Sequence, residues 1–427
     1  MTASPYKVLW VVNIVLPAVA EDIGLTGSPF GGWLSLMTQQ LAHLPDCEIA
    51  VAMRAPVNQF IKIERDGITY YAVPQRTTDQ FDVSDADCKR VLQDFQPDIL
   101  HAEGSEMAYT RRFMSVWQGP RLLSLQGVIN GYAPYELGNL PILSMLNPLN
   151  PRRLITALAL LANKKFRFMP RLKAELETVS LASDIMGRTL WDRAQAAALN
   201  PDARYHHCSR ILRDIFYRKN WAGADCERHS IFIGNGASAR KGAHVAMHAA
   251  ALLVRHYSDL RIYIAGEDPT KLPLRSIKRH IGYPAYLRGL INELGLSDHI
   301  IFTGQLDSAE MAARMCRSHV YLLPSLIENS PNTMGEAMLL GVPVVAAYVG
   351  GVPSMARDEE EVLLYRADDP AMLAFQVRRL FDDQELTVKL TDAARVRARK
   401  THDPKVNLQA LVSAYQHIIG MERERAN

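Results

Sequence analysis

The sequence predicts an α/β protein built on two parallel β-sheets. Short apolar runs rich in β-branched residues recur along the chain, and a helical pattern follows each of them. Continuous apolar strands that alternate with helices are typical of parallel sheets covered on both faces. Two sets of six such units predict two Rossmann-like domains. The runs are residues 7–14, 48–53, 68–73, 98–103, 121–127 and 204–209 in the first half, and 230–236, 261–266, 299–304, 320–325, 342–350 and 361–366 in the second.

Length and composition agree with a two-domain globular protein. The chain has 427 residues, more than a single hydrophobic core usually supports. Hydrophobic residues make up 48% and charged residues 22%, as in ordinary soluble enzymes. Lys and Arg total 48 against 45 for Asp and Glu, and this balance of +3 does not indicate a nucleic-acid partner.

The first apolar run has two interpretations. Lys7 precedes it and the tripeptide at 18–20, Ala-Val-Ala, resembles a signal-peptide cleavage site. Asn13 and Pro17 interrupt the run, however, and we favour a first β-strand followed by a loop. No apolar stretch reaches the ~18 residues of a transmembrane helix. The five cysteines are scattered without a CxxC pair, which favours a reducing compartment, so we expect a cytoplasmic protein.

The most informative segment is residues 324–351, which follows the strand at 320–325. Ser330 has the character of a helix N-cap and Pro331 that of a first helical residue, while Gly341 should end the helix near Leu340. Glu328 would then lie in the loop at the helix mouth, with Glu336 inside the helix. A helix start offers free N–H groups to a diphosphate, and a carboxylate can accept from ribose hydroxyls. Spacing alone leaves open that both glutamates are solvated surface charges.

This segment resembles the E-x7-E signature of family-four retaining glycosyltransferases with the GT-B fold. The sequence that continues from it, GEAMLLGVPVVA at 335–346 followed by GG at 350–351, resembles the family's continuation of that signature. The resemblance extends over nearly the whole chain in family order, and a subgroup that acts in polysaccharide or lipid-linked saccharide synthesis is the most similar. It implies two Rossmann-like domains that face each other across a cleft containing the active site. The supporting segments are 31–44, 97–104, 124–127, 187–194, 241–253, 261–267, 302–311 and 327–332.

The resemblance also implies domain bounds and site residues. We expect an N-terminal acceptor-side domain at 1–225, a linker within 222–230, a nucleotide-sugar domain at 226–400 and a helix at 401–427 that returns to the first domain. Catalytic roles fall to Glu328 at the donor sugar and to Lys241 and Arg240 at the diphosphate, and Glu336 binds the ribose. Other donor-binding residues are Gly31, Gly32, Gln126, Gly304, Gln305, Asn329, Ser330, Asn332 and Thr333.

The chain departs from the family pattern at three places. Gly234 is followed by Asn235 where an arginine is usual, Pro331 replaces a residue with an N–H, and Gln126 stands where many members have histidine. Glutamine cannot act as a base, but a front-face retaining mechanism does not require one. The departures leave a catalytically silent nucleotide-sugar-binding or scaffold protein as the alternative function. A phosphorylase or epimerase of the same architecture is a third.

Other residues complete the predicted site. His101 and Glu103 end a strand on one face and are candidates for acceptor contact, with strand-end packing as the alternative. Gly31 and Gly32 would let the backbone approach the donor phosphates, or serve as ordinary turn glycines. Asp85 and Asp87 form a DxD, but Ser84 before them indicates a capped helix start with acidic first-turn residues. We therefore expect no metal and no cofactor beyond the nucleotide sugar.

Residues 141–180 combine apolar and basic character. Seven basic residues stand against Glu175 and Glu177, and they flank the apolar run at 154–162. Such a segment suits an anionic membrane surface, which would place the enzyme peripherally on the inner face of a membrane beside a lipid-linked acceptor. A helical hairpin packed on the first domain explains the same pattern. The basic residues are Arg152, Arg153, Lys164, Lys165, Arg167, Arg171 and Lys173.

Overall fold

The computed structural model describes residues 5–25, 31–76 and 81–426. The chain folds into two compact units. Unit 1 comprises Met1–Gly131, Pro170–Leu212 and His402–Asn427, and unit 2 comprises Tyr132–Met169 and Arg213–Thr401.

Unit 1 contains an eight-stranded sheet of order β3-β4-β2-β1-β5-β6-β7-β8. All neighbouring strands are parallel except β3, which is an antiparallel edge strand beside β4. Two of these strands, β3 and β7, were not among the predicted runs. The strands are β1 Tyr6–Val12, β2 Cys47–Ala55, β3 Ile61–Arg65, β4 Ile68–Pro74, β5 Ile99–Glu103, β6 Arg121–Ser124, β7 Asp184–Gly187 and β8 Arg204–His207.

Both faces of this sheet are covered, as the continuous apolar strands require. In β1, Val8, Trp10 and Val12 pack into one hydrophobic core, which includes Tyr415 of the C-terminal helix. Leu9 and Val11 point to the core on the other face. The first part of the run considered as a signal sequence therefore forms a central strand, in which residues 8–12 are fully buried.

Unit 2 contains a six-stranded sheet, entirely parallel, of order β11-β10-β9-β12-β13-β14. All six strands correspond to predicted runs. They are β9 Glu227–Ile233, β10 Arg261–Ile264, β11 Ile300–Phe302, β12 Ser318–Leu323, β13 Val344–Ala347 and β14 Leu363–Tyr365.

Helices flank both sheets, and none of the described helices combines the length and apolar character needed to cross a bilayer. In chain order the helices are α1 Pro17–Ala20, α2 Gly32–Ala42, α3 Asp85–Phe95, α4 Ala108–Val116, α5 Ile129–Tyr132, α6 Ile142–Met145, α7 Pro151–Asn163, α8 Met169–Ser180, α9 Leu190–Leu199, α10 Ile215–Arg218, α11 Ala243–Leu253, α12 Gly282–Glu293, α13 Ser308–Arg317, α14 Asn332–Leu340, α15 Val352–Met355, α16 Pro370–Asp382, α17 Gln384–Thr401 and α18 Pro404–Ala426.

The units differ from the expected domain bounds in two ways. The chain passes from unit 1 to unit 2 after Leu212, so the expected linker at 222–230 lies inside unit 2. Residues 132–169, expected in the first domain, also belong to unit 2 because α7 packs on α12 and His244 of α11 donates from Nε2 to the Gly138 carbonyl at 2.9 Å. Helix α18 groups with unit 1.

Candidate functional site

The candidate donor site lies at the carboxyl end of β12, where the chain runs through a buried loop into α14. The helix ends at Leu340, and Gly341 adopts the left-handed conformation at its C-terminus, as predicted (φ 77°). The predicted N-cap is wrong: Pro331 is the cap and Asn332 the first helical residue. Pro331 has extended backbone (ψ 109°), which its fixed φ allows, so the helix begins one residue later than a Ser330 cap implies.

Two glycines let neighbouring loops approach this turn closely. Gly242, with φ of 71°, follows Lys241, and a Cβ there would lie 1.8 Å from the Pro324 carbonyl oxygen. Gly350 has φ of 46°, and a Cβ at this position would lie 2.0 Å from the Glu328 carbonyl oxygen. Since no side chain fits at either distance, both positions require glycine, and the three loops are held together at the sheet edge.

Lys241 and Glu328 form an ion pair in this loop cluster. Lys241 Nζ donates to Glu328 Oε1 at 2.6 Å, and the hydroxyl of Ser325 donates to the same oxygen at 2.7 Å. Glu328 is buried, and the Lys241 side chain is about a quarter exposed (24%). A positive and a negative group are thus fixed beside the start of α14, whose first N–H groups have no partner within the helix.

Glu336 is buried inside α14 and is not the solvated residue that spacing alone allowed. The Arg213 guanidinium holds it through two hydrogen bonds of 2.8 Å, from Nε to Oε1 and from Nη2 to Oε2. Burial raises the pKa of Glu336, and the Arg213 guanidinium opposes that rise. Sequence reasoning missed Arg213, because no local pattern connects it with a residue 123 positions away.

The remaining predicted residues of unit 2 surround the same loop or the adjoining strands. Arg240 precedes Lys241 in a short 3₁₀ turn; its guanidinium lies over the Tyr132 ring and 4.0 Å from Glu136. Thr333 shares a 2.7 Å hydrogen bond with the Tyr321 hydroxyl. Asn329 is buried, and Ser330 and Asn332 are partly exposed.

A pocket of about 170 Å³ opens at the ends of β10 and β11 in unit 2. Its lining is mainly apolar, and the ion pair between Lys278 and Glu267 (2.8 Å) supplies polar groups. Gly304 belongs to the same edge, because its carbonyl accepts from the Gly266 N–H at 2.8 Å, and Gln305 beside it is exposed. The pocket is lined by Gly236, Ala237, Ile264, Ala265, Gly266, Glu267, Pro269, Leu272, Lys278, Tyr283, Pro284, Leu287 and Phe302.

The other predicted site residues lie in unit 1. Gly31 caps α2 with φ of 87°, and Gly32 is the first residue of that helix. His101 and Glu103 are buried at the end of β5, and Gln126 Nε2 donates to Glu103 Oε2 at 3.4 Å. The predicted residues therefore fall into two groups, one at the carboxyl edge of each sheet.

Asp85 and Asp87 begin α3, as the capping interpretation predicted. The Ser84 hydroxyl accepts from the Asp87 N–H at 3.0 Å, and Asp85 pairs with Arg112 at 2.6 Å. Within the described residues, no group of three or more His, Cys, Asp or Glu side chains is arranged to hold a metal ion.

The segment that matches a known sequence family lies in unit 2. Residues 227–383 match the family model described as glycosyl transferases group 1. The 2-deoxystreptamine glucosyltransferase of Streptomyces kanamyceticus is 29% identical over 192 residues, which cover 45% of this chain and 46% of that enzyme. The alignments span less than half the length of the first curated relatives.

Solved structures match over both units. Sucrose-phosphate synthase from Thermosynechococcus elongatus has a TM-score of 0.74 at 15% identity, covering 97% of this chain and all of that one. Anabaena HepE in complex with UDP-glucose has a TM-score of 0.64 at 15% identity, with 96% and 99% covered. At these identities the likeness establishes the fold.

Proposed function

We propose that this chain, which belongs to the group 1 glycosyltransferases and has the GT-B fold, is a retaining, metal-independent transferase. It would move a sugar from a nucleotide-diphosphate donor to a saccharide or lipid-linked acceptor. The observation that carries the proposal is the Lys241–Glu328 pair at the mouth of α14, with Glu336 buried in the same helix. The similarity to a glucosyltransferase and to a protein solved with UDP-glucose supports the same class of donor.

In this proposal the diphosphate binds at the helix mouth. The first N–H groups of α14 and the positive end of its dipole attract phosphate, and Lys241 contributes a full positive charge. Both hydrogen bonds to Glu328 end on Oε1, so Oε2 is the oxygen offered to a hydroxyl of the donor sugar. Arg240, next to Lys241, adds positive charge to the same region.

The nucleoside would occupy the rest of the unit 2 edge. Glu336 lies about 6 Å along the helix axis from Asn332, at ~1.5 Å per residue, which suits the separation between a phosphate and ribose hydroxyls. The carboxylate accepts hydrogen bonds from those hydroxyls while Arg213 keeps it oriented. The apolar pocket beside Gly304 has the character of a base site.

The proposed reaction needs no side-chain base. The bond between the anomeric carbon and the phosphate oxygen breaks, and its electron pair stays on that oxygen. The acceptor hydroxyl attacks the same face of the sugar, and its proton passes to the departing phosphate oxygen. Lys241 and the α14 mouth stabilise the charge that develops on the phosphate. Because these groups are already in place before the reaction, they lower the barrier without having to reorganise.

We further propose that the acceptor is lipid-linked and that residues 141–169 of unit 2 contact an anionic membrane. We limit the proposed patch to these residues, because 170–180 belong to unit 1, where Glu175 is buried. The 141–169 segment contains five basic residues and no acidic residue. Its most exposed large apolar side chains are Leu143 (89% exposed), Leu149 (90%) and Phe166 (71%). Apolar residues inserted among basic ones are typical of surfaces that lie on anionic lipid.

Vesicle flotation tests the membrane contact. We expect binding to vesicles containing phosphatidylglycerol at low salt, and loss of binding when Lys164, Lys165 and Arg167 are changed to Glu. The matched control changes Lys271, Lys389 and Lys400, which are exposed basic residues of unit 2, to Glu. Equal binding by the two triple variants, or no binding by the wild type at low salt, would remove the membrane contact and leave the transfer reaction untouched.

A nucleotide screen tests the transfer reaction. Thermal unfolding is measured with a panel of nucleoside diphosphates and nucleotide sugars, because a ligand of the native state raises the midpoint. Release of nucleoside diphosphate from the selected donor is then followed with and without acceptors and inorganic phosphate. Binding with no hydrolysis or transfer would indicate the silent binding protein, and a strict phosphate requirement would indicate a phosphorylase.

A further inference from the structure

A second cluster of polar groups lies entirely within unit 1. A small recess opens where β5, β6, β7 and β8 end and α2 begins. The carboxyl edge of a parallel sheet is where ligands bind in such folds. The lining combines buried charged and polar side chains with the ring of Trp33.

Arg210 is the least satisfied group in this recess. It is only 6% exposed and stacks on the Trp33 ring. Its Nη2 donates to Glu103 Oε2 over a long 3.3 Å, while its Nη1 is buried and has no hydrogen-bond partner among the described residues. A buried guanidinium N–H without an acceptor is costly, and a charged acceptor would satisfy it best.

The neighbouring His101 is held by two hydroxyl groups. Its Nδ1 shares a 2.5 Å hydrogen bond with the Tyr415 hydroxyl, to which Trp10 Nε1 donates at 2.9 Å. Its Nε2 shares a 2.7 Å hydrogen bond with Ser124 Oγ. Burial lowers the pKa of His101 to about 3, so it adds no positive charge to the recess at neutral pH.

The charges of the recess therefore do not balance. Arg188 and Arg210 are positive and Glu103 is the one carboxylate of its lining. Burial raises the pKa of Cys208 to about 12, so the thiol is neutral. Burial and the nearby Arg188 lower the pKa of Arg210, but a guanidinium remains charged in proteins. Within this lining, two guanidinium groups stand against one carboxylate.

We propose that this recess binds an anionic group of the acceptor, a carboxylate or a phosphate, through Arg210 Nη1. The proposal rests on the transferase function and adds the chemical class of the acceptor. Arg210 acts here as a binding and specificity residue, and His101 and Ser124 form the fixed polar wall beside it.

Matched acceptors test the proposal in the active enzyme. At saturating donor, an alkyl glucuronide and a glycosyl phosphate are compared with the neutral alkyl glycoside. We expect the wild type to prefer at least one anionic acceptor by about 10- to 100-fold in kcat/KM, the range for one hydrogen bond between charged groups. Whether the carboxylate or the phosphate is preferred identifies the group. Arg210→Gln should remove the preference by raising the KM of the anionic acceptor, with the donor KM unchanged.

The controls separate this proposal from a structural role and from failure of the transferase function. Arg193→Gln, an exposed arginine of α9 outside the recess, should retain the preference. Calorimetric titration of glucuronate and of inorganic phosphate into the donor-free protein needs no turnover, and binding lost in Arg210→Gln would support the site even in an inactive protein. No wild-type preference and no anion binding, or an equal loss for neutral and anionic acceptors in Arg210→Gln, would overturn it. If that variant does not fold, the wild-type comparison decides.

Discussion

Glu336 lies where the glutamate spacing placed it, inside the helix that follows the Glu328 loop. Its environment depends on tertiary structure, because its partner Arg213 comes from the segment where the chain enters unit 2. Spacing could therefore predict a carboxylate at this position but could not decide between a solvated and a buried one. The same limit applies to Arg210, whose partners Glu103 and Trp33 are distant in sequence.

The proposed ribose contact predicts a specific loss of affinity in Glu336→Ala. The carboxylate should accept hydrogen bonds from ribose hydroxyls, each worth about 1.5–3 kcal/mol when one partner is charged. The wild type should then bind the selected nucleoside diphosphate at least about 10-fold more tightly than its 2′,3′-dideoxy analogue, and Glu336→Ala should bind both equally. Calorimetry measures this, with Glu360→Ala, an exposed glutamate of unit 2, as control. Equal wild-type affinity for the two ligands would rule out the ribose contact.

Two strands of unit 1, β3 and β7, were not predicted from the apolar runs. The β3–β4 hairpin has Asp66 and Gly67 at its turn with φ of 51° and 74°, which is the Asp-Gly signature of a tight hairpin. That signal was present in the sequence. Strand β7 has four residues and begins with the buried Asp184. Hydrogen bonds from Arg204 and His206 compensate the burial of its carboxylate. A buried aspartate at a strand start has no local sequence signal, so β7 could not be predicted in this way.

A hydrogen bond between His244 and Gly138 helps to attach residues 132–169 to the rest of unit 2. Its contribution to stability should depend on pH. His244 Nε2 donates to the Gly138 carbonyl, and burial lowers the pKa of His244 to about 4. Because its folded-state pKa is below the ordinary 6.5, the unfolded chain takes up the proton first. The stability that neutral His244 contributes is thus complete above pH 6.5 and is lost as the pH falls toward 4, by at most about 1.4 kcal/mol per pH unit.

His244→Gln isolates this effect, because glutamine retains an N–H donor but does not titrate. Thermal midpoints of wild type and variant are compared at pH 7 and pH 5. We expect the wild-type midpoint to fall more than that of His244→Gln, while His244→Phe should be less stable than the glutamine variant at pH 7. Equal drops for wild type and His244→Gln would mean that His244 does not titrate as its burial requires.

At the scale of the molecule, the family model and the predictable features coincide in unit 2. Its six strands and the end of α14 follow from apolar runs and a C-terminal glycine, which are local signals. The division of the chain was less predictable. Residues 132–169 follow a unit 1 helix in sequence, and their membership in unit 2 is decided by packing on α12 and the His244 contact.

The donor site as proposed predicts that transfer survives removal of divalent cations. Lys241 and the mouth of α14 provide the positive charge that a metal ion supplies in other enzymes. Initial rates should agree within about twofold in EDTA and in added Mn²⁺, a difference of well under 1 kcal/mol in the barrier. Complete loss of activity in EDTA, restored by Mn²⁺, would direct attention back to Asp85 and Asp87.

The rate of nucleoside diphosphate release by Lys241→Ala tests the assignment of the donor site. If Lys241 stabilises charge that develops on the departing phosphate, its removal should lower kcat by about 10²–10³-fold, the usual effect of removing one such group. Lys271→Ala changes a largely exposed lysine of the same unit (83%) and should retain full activity. A far-ultraviolet spectrum and thermal midpoint like those of the wild type should accompany the loss. Wild-type turnover by Lys241→Ala would contradict the assignment of the donor site.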